Sequence, residues 1–194
     1  MTAHTRNITK VFRMADHKSL LDGMDWYARA NVLANTLDPL NPRRAAGVIA
    51  SLSPLTSWPL NIRYATAVYD GTPFSTLGNS MRAAFRIYNG EDAADVLNGP
   101  KTRAFFFTIA DPSNREAVTV DRHAIDIAHG KPLPNNSKER SINKREYAEI
   151  AGMYHRAARI LSREYGRDIY AHQVQAVTWI YWRRNVTRAF FGDA

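Results

Sequence analysis

Apolar residues return every three or four positions along most of this chain, and no run alternates one by one beside a second such run, so helices and not sheet are predicted. Leu21, Met24, Tyr27, Ala28 and Val32 set one helical period between Leu20 and Thr36. Asn41-Pro42 supplies an N-cap and a proline at the first helical position for the next helix, Pro42 to Leu52. That segment is apolar almost all round (Ala45, Ala46, Val48, Ile49, Ala50, Leu52), the mark of a buried central helix, and Gly47 lets a neighbour approach closely. Ser53-Pro54-Leu55-Thr56-Ser57-Trp58-Pro59 breaks the pattern, which resumes from Leu60 to Tyr69.

After the turn Asp70-Gly71-Thr72-Pro73, a helix is predicted from Asn79 to Tyr88, ended by Asn89-Gly90, with one further turn over Glu91 to Val96. The run Thr102 to Ile109, with Phe105, Phe106 and Phe107 in a row, suits helix or strand; Pro100 ahead of it is a helix start signal and no partner strand exists, so helix is expected. Val118-Thr119-Val120 reads as a short extended entry to a helix from Asp121 to His129. Gly130 to Ser141 is polar and rich in Pro and Asn, an exposed loop. Two long helices close the chain, Arg145 to Tyr165 with Gly166 as its cap, and Ala171 to Arg184.

With 194 residues, 45% of them hydrophobic, such helices can close one core, or two small lobes sharing one. Against 18 Asp and Glu stand 26 Lys and Arg, a net charge of +8 that no basic tail explains. A folded body with that surplus suits a polyanion, nucleic acid first, although an acidic protein or a membrane surface would satisfy the same charge. The absence of cysteine removes disulfides, thiolate nucleophiles and Cys-ligated zinc or iron-sulfur sites. The N-terminal stretch lacks an apolar leader and no window is long enough to span a bilayer, so a cytoplasmic protein is expected. His129 and His172 lack metal-ligand spacing, and no metal or cofactor is expected.

The chemistry-bearing residues concentrate in two stretches, Leu97-Asn98-Gly99-Pro100-Lys101-Thr102-Arg103 and Val118-Thr119-Val120-Asp121-Arg122-His123. A glycine turn at a helix mouth offers free backbone N–H groups to a phosphate. Lys101 at the helix start opposes the helix dipole, which favours its neutral, nucleophilic form. Asp121 opens its own helix, where an anion is stabilised and can balance positive charge at a sugar C1′. A plain N-cap needs an aspartate in the same place, and a solvated surface lysine explains Lys101 equally well. In the last helix, Gln175, Trp179 and Arg183 fall on one stripe, a pocket wall or an anchoring face.

These stretches resemble the helix-hairpin-helix DNA glycosylases, above all the bifunctional glycosylase/lyase members, which carry an L-P-G-x-G-x-K hairpin and a V-D-x-H segment about twenty positions later. The resemblance runs roughly from Ala45 to His129 and includes Ala50-Ser51-Leu52-Ser53-Pro54-Leu55-Thr56, similar to the L-S-x-Q-x-T segment that those proteins insert into the DNA stack. Leu97 stands where the first hairpin glycine would be, Leu55 where the wedge glutamine would be, and the four-cysteine cluster of some members is absent. The chain also resembles phage-type enzymes of hypermodified thymine, which pair a V-D-R-H segment with a C-terminal Q-A-x-x-W helix.

The resemblance implies an all-α, two-lobed glycosylase-like fold over 1–194, with the central hairpin region at 79–129 and the helices of 145–188 packing back. It implies a double-stranded DNA partner, base flipping, and cleavage of an N-glycosidic bond, with Asp121 as the essential carboxylate and Lys101 as the Schiff-base lysine. Gly99, Thr102, Arg103, Ser53, Arg122 and His123 would contact DNA, while Trp58, Gln175, Trp179 and Arg183 would line a base pocket. Tyr64 is a second stacking candidate. Lys138, Arg140, Lys144, Arg145, Arg183, Arg184 and Arg188 are the candidate electrostatic footprint. A DNA-binding protein that has lost its chemistry, and an enzyme modifying thymine in DNA, remain the other readings.

Overall fold

A computed structural model describes residues 3–187. Among them there are eleven α-helices: α1 (Thr5–Met14), α2 (His17–Met24), α3 (Trp26–Leu37), α4 (Pro42–Ser51), α5 (Trp58–Asp70), α6 (Gly78–Tyr88), α7 (Ala93–Val96), α8 (Pro100–Ala110), α9 (Arg122–His129), α10 (Lys144–Tyr165) and α11 (Ala171–Trp182). A 3₁₀ turn at Lys138–Arg140 and a π turn at Arg183–Thr187 complete the order, with no strand among the described residues. The protein is all-α. None of these helices is long and apolar enough to cross a membrane. The chain forms two compact units, one from the segment up to Trp26 together with the chain from Arg115 onward, the other from Tyr27–Asn114.

The inserted unit is organised on α4. Proline at its first position and the Asn41 side chain accepting from Arg44 N–H start it, and every residue from Ala45 to Ser51 is buried. Helices α5, α6, α7 and α8 pack around it. A Cβ on Gly47 would lie 2.5 Å from the Ala93 methyl, so only glycine permits that approach. Phe106 fills the core, while Phe105 packs edge-on against Tyr27. Asp38, buried, accepts from Arg44 Nε at 2.6 Å and from Tyr69 Oη at 3.2 Å. Burial raises such a carboxyl, yet those donors hold it below its ordinary value.

The other unit sets α11 against α2, α10 and α1, with α9 beside them. A Cβ on Gly23 would come within 2.4 Å of Val177 Cα, which fixes how closely α2 and α11 lie. Ile8, Phe12, Ile127, Tyr154, Leu161 and Val174 are buried side chains of its core. Helix α10 starts in a capping box, Asn143 accepting from Arg145 and Glu146 N–H while Glu146 accepts from Asn143 N–H. It ends at Gly166 in the left-handed region.

Two departures from the periodicity have local causes. The helix expected from Leu20 to Thr36 is two helices, because α2 stops at Asp25 and Trp26 opens α3; Leu21 and Val32, apolar at helical spacing, face solvent. Helix α1 lies before the first periodic run, carried by the stripe Ile8, Val11 and Phe12 alone.

Candidate functional site

Asp121 is held by the chain on both sides of it. The extended entry Val118–Val120 is pinned by one phenol: Tyr147 Oη accepts from Val120 N–H at 3.0 Å and donates to Val118 O at 2.8 Å. Both valines are buried. Burial pushes that phenol up to about 12, so it stays protonated and able to donate. Asp121 then caps α9, Oδ1 accepting from Ala124 N–H at 2.8 Å, and its Oδ2 accepts from Trp179 Nε1–H at 3.0 Å. The carboxylate is half-buried, and each oxygen keeps a second lone pair for another donor.

Around it stand His123, Arg122 and Arg183. The His123 ring meets the Trp179 ring edge to face at 6.3 Å, and the Arg183 guanidinium lies over Trp179 at 4.8 Å. Arg122 Nε donates to His123 Nε2 at 3.3 Å. Nε2 therefore carries the lone pair, and Nδ1 carries the hydrogen. That Nδ1–H is buried and has no hydrogen-bond partner among the described residues. Burial pushes His123 down to about 4; Asp121 opposes the fall, and Arg122, Arg183 and Arg140 add to it. At neutral pH the imidazole is uncharged, a hydrogen-bond donor and not a cationic acid.

One further pair braces the floor of α9. Asp126 receives Arg140 Nη2 at 2.9 Å and Leu133 N–H at 3.2 Å, both side chains almost fully buried. Arg140 also donates to Leu133 O, so it ties the start of the 130–141 loop to α9. Burial pushes the Asp126 carboxyl up to about 6 against the pull of Arg140. Nothing in the local sequence signals this pair or the Tyr147 contact, since partners lie 14 and 27 residues apart.

Asp121, Arg122, His123, Gln175, Trp179 and Arg183 all belong to the unit that contains both chain ends; Ser53, Trp58, Gly99, Lys101, Thr102 and Arg103 belong to the inserted unit. Trp179 hydrogen-bonds Asp121 and touches Arg183 and His123, and Gln175, one turn earlier on α11, is buried. Lys101 is exposed at the second position of α8, with no ion pair among the described residues. Gly99 caps that helix at φ −92°, a conformation open to any residue, and a Cβ there would meet only Thr102 Oγ1 at 3.7 Å. Thr102 is half-buried and Arg103 exposed. Leu97, in place of a hairpin glycine, is buried in the core.

Ser53 spends its hydroxyl on Ala50 O at 2.8 Å and closes a turn through Thr56 N–H. Inside that turn Leu55 is 96% exposed at φ +55°. Trp58 opens α5, half-buried, and Tyr64 stacks on Phe74 at 5.2 Å. Much of the expected electrostatic footprint is engaged in ion pairs: Arg140 with Asp126, Arg145 with Glu149, Arg184 with Asp22. Lys138 and Lys144 are exposed, and Arg188 lies outside the described residues. Among the described residues no group of three or more His, Asp or Glu is arranged to hold a metal ion.

What fold and site define is an all-helical protein in which a helix-capping carboxylate is clamped by an indole and bordered by two guanidinium groups. The chain matches DUF7178, a family of unknown function, over residues 1–186, and it belongs to that family. No curated protein and no solved structure matches it.

Proposed function

We propose that this protein binds double-stranded DNA, extrudes a damaged or modified base and acts on it at Asp121, in the manner of a two-lobed helix-hairpin-helix glycosylase. The hydrogen bond from Trp179 to Asp121 carries the reading, because it spends a half-buried indole donor on orienting a carboxylate that α9 needs only as a cap. In excision, the C1′–N bond breaks, the base leaves with the bonding pair and takes up a proton, and water forms the new C1′–O bond. Asp121 balances the cationic sugar and accepts the proton of the attacking water. Arg122 and Arg183, exposed beside it, neutralise nearby phosphate. Lys101 enters only if the reaction is bifunctional, as the amine that attacks C1′.

The insertion of one helical unit into another supports the two-lobed fold. Leu55, exposed on a turn directly after the central helix of its unit, supports insertion into the base stack. A second reading, modification of thymine in DNA, gains from the contact between the two segments that suggest it: Asp121 of Val120-Asp121-Arg122-His123 meets Trp179 of Gln175-Ala176-Val177-Thr178-Trp179.

One experiment separates these. Duplexes carrying a panel of altered bases are incubated with wild-type protein and with Asp121→Asn, and the bases released or changed are identified by mass. Release abolished in the variant supports excision; a mass change without release supports modification; neither, on any substrate, leaves a DNA-binding protein without chemistry. Borohydride trapping of wild type and Lys101→Ala tests the lysine.

A further inference from the structure

The surplus positive charge is uneven. The segments 1–26 and 115–194 hold 18 Lys and Arg against 12 Asp and Glu, a net +6 of the chain's +8. Several of the expected contact residues are consumed in ion pairs, and part of the unspent charge lies outside the expected footprint. It gathers on α10. His155, Arg159 and Arg163 follow one another at four-residue spacing, about 6 Å apart along the axis, so they form a single row. Arg159 and Arg163 are exposed and have no ion-pair partner among the described residues, and Arg156 and Arg167 flank them.

Like charges four apart disfavour a helix. The helix C-terminus compensates for Arg163, which sits in the last turn, but not for Arg159 two turns from the end. The row borders a groove of about 320 Å³ between α10 and the Asp168–Ala171 segment, also lined by Arg115, Ser162 and Tyr170 and by none of the residues around Asp121. Across the groove Arg115 is held in place, 3.0 Å from Asp168 and with its guanidinium 4.9 Å over the Tyr170 ring. Asp168 pairs with Arg115, and among the described residues no carboxylate forms an ion pair with Arg159 or Arg163.

We propose that this groove is a second, sequence-independent contact for the phosphodiester backbone of duplex DNA. The cations are all arginines, whose planar fork pairs with phosphate oxygens two at a time. They stand in a line, as successive phosphates do, and the floor between them, formed by buried Ala158 and Ile169, offers no apolar anchor for a membrane. The inference shares the DNA partner of the proposed function and is independent of any chemistry at Asp121.

The test is the salt dependence of binding of the full chain to an unmodified duplex oligonucleotide, since each phosphate contact adds about 0.9 to the slope of log K against log salt. Arg159→Ala with Arg163→Ala is expected to make the slope shallower by about two and to weaken binding at least tenfold at physiological salt. Arg86→Ala, an exposed arginine of α6 paired with Glu91, is expected to change neither. All three substituted side chains are exposed, and equal thermal melting of the variants checks the fold. An unchanged slope in the double variant overturns the proposal, as does absence of DNA binding at low salt. Competition by millimolar inorganic phosphate at constant ionic strength overturns it in favour of a single-anion pocket. A double variant that keeps its grip on DNA but releases anionic phospholipid vesicles overturns it in favour of a membrane face. Loss of base release in Asp121→Asn, or its absence in wild type, bears on the enzymatic reading alone.

Discussion

The indole Nε1–H of Trp179 reaches Asp121 Oδ2 at 3.0 Å although 58 residues separate the two in sequence. Asp121 would cap α9 through Oδ1 whether or not this bond existed, so the indole acts on the carboxylate's direction and not on the helix. Trp179→Phe keeps the ring that Arg183 covers and removes the donor. On a substrate found by base release, it is expected to lower turnover about tenfold, the worth of one charge-assisted hydrogen bond, with DNA affinity unchanged. Asp121→Asn is expected to cost on the order of 10²- to 10⁴-fold. Single-turnover rates beside binding constants check both; a Trp179→Phe protein with full turnover removes the positioning role.

His123 gives a pH signature. Its value falls from 6.5 in the unfolded chain to about 4 in the folded one, so the folded state binds fewer protons between those values. Stability from this group is complete above pH 6.5 and is lost as pH falls toward 4. Asp126 acts with the opposite sign: its value rises from 3.8 to about 6, so the folded state gains stability as pH falls through that range. The two overlap, and only a difference between proteins isolates either. His123→Gln is expected to narrow its Tm gap from wild type, or reverse it, by about 5 °C between pH 7.5 and pH 5. Calorimetry at both pH values checks this, and parallel profiles would count against it.

The pair Asp126–Arg140 predicts a different pattern. Removing Arg140 leaves a buried carboxylate alone, a loss of about 3–5 kcal/mol at pH 7.5. Because Asp126 can take up a proton, the deficit of Arg140→Met is expected to shrink as pH falls to 5, while Asp126→Asn with Arg140→Met together recovers much of it. Denaturant unfolding at two pH values measures each step.

These contacts divide by how far apart their partners lie. Helices α4 and α8 are legible because proline starts, caps and apolar period act within a few residues. Asp121 and Trp179 are each legible within a motif, but the bond between them is not. Tyr147 bracing Val118 and Val120, and Arg140 turning inward to Asp126, depend on the packing of α9 and α10. Arg140 was expected on a DNA-facing loop because an arginine in polar sequence carries no mark of burial. Of the ion pairs that consume the expected footprint, only Arg145–Glu149, four residues apart, has a spacing visible along the chain.

Leu55 joins two unfavourable features, and their coincidence is informative. Its φ of +55° lies at the third position of the turn Ser53–Thr56, after Pro54, where glycine or asparagine is the low-energy choice. An L-residue there costs about 1–2 kcal/mol, and with 96% of its surface exposed the side chain recovers almost nothing by burial. Folding alone would select against leucine, whereas a side chain that enters a base stack must be large, apolar and presented on a rigid turn. Leu55→Gly is therefore expected to stabilise the free protein by up to about 1 kcal/mol, the relief of strain being offset in part by the freedom glycine adds to the unfolded chain. The same change is expected to weaken duplex distortion, read as a smaller rise in the fluorescence of 2-aminopurine opposite the bound site. Leu55→Asn tolerates the backbone but supplies no apolar wedge, so it should share the loss of signal. If both variants distort DNA as wild type does, the leucine serves no insertion and its strain has another cause.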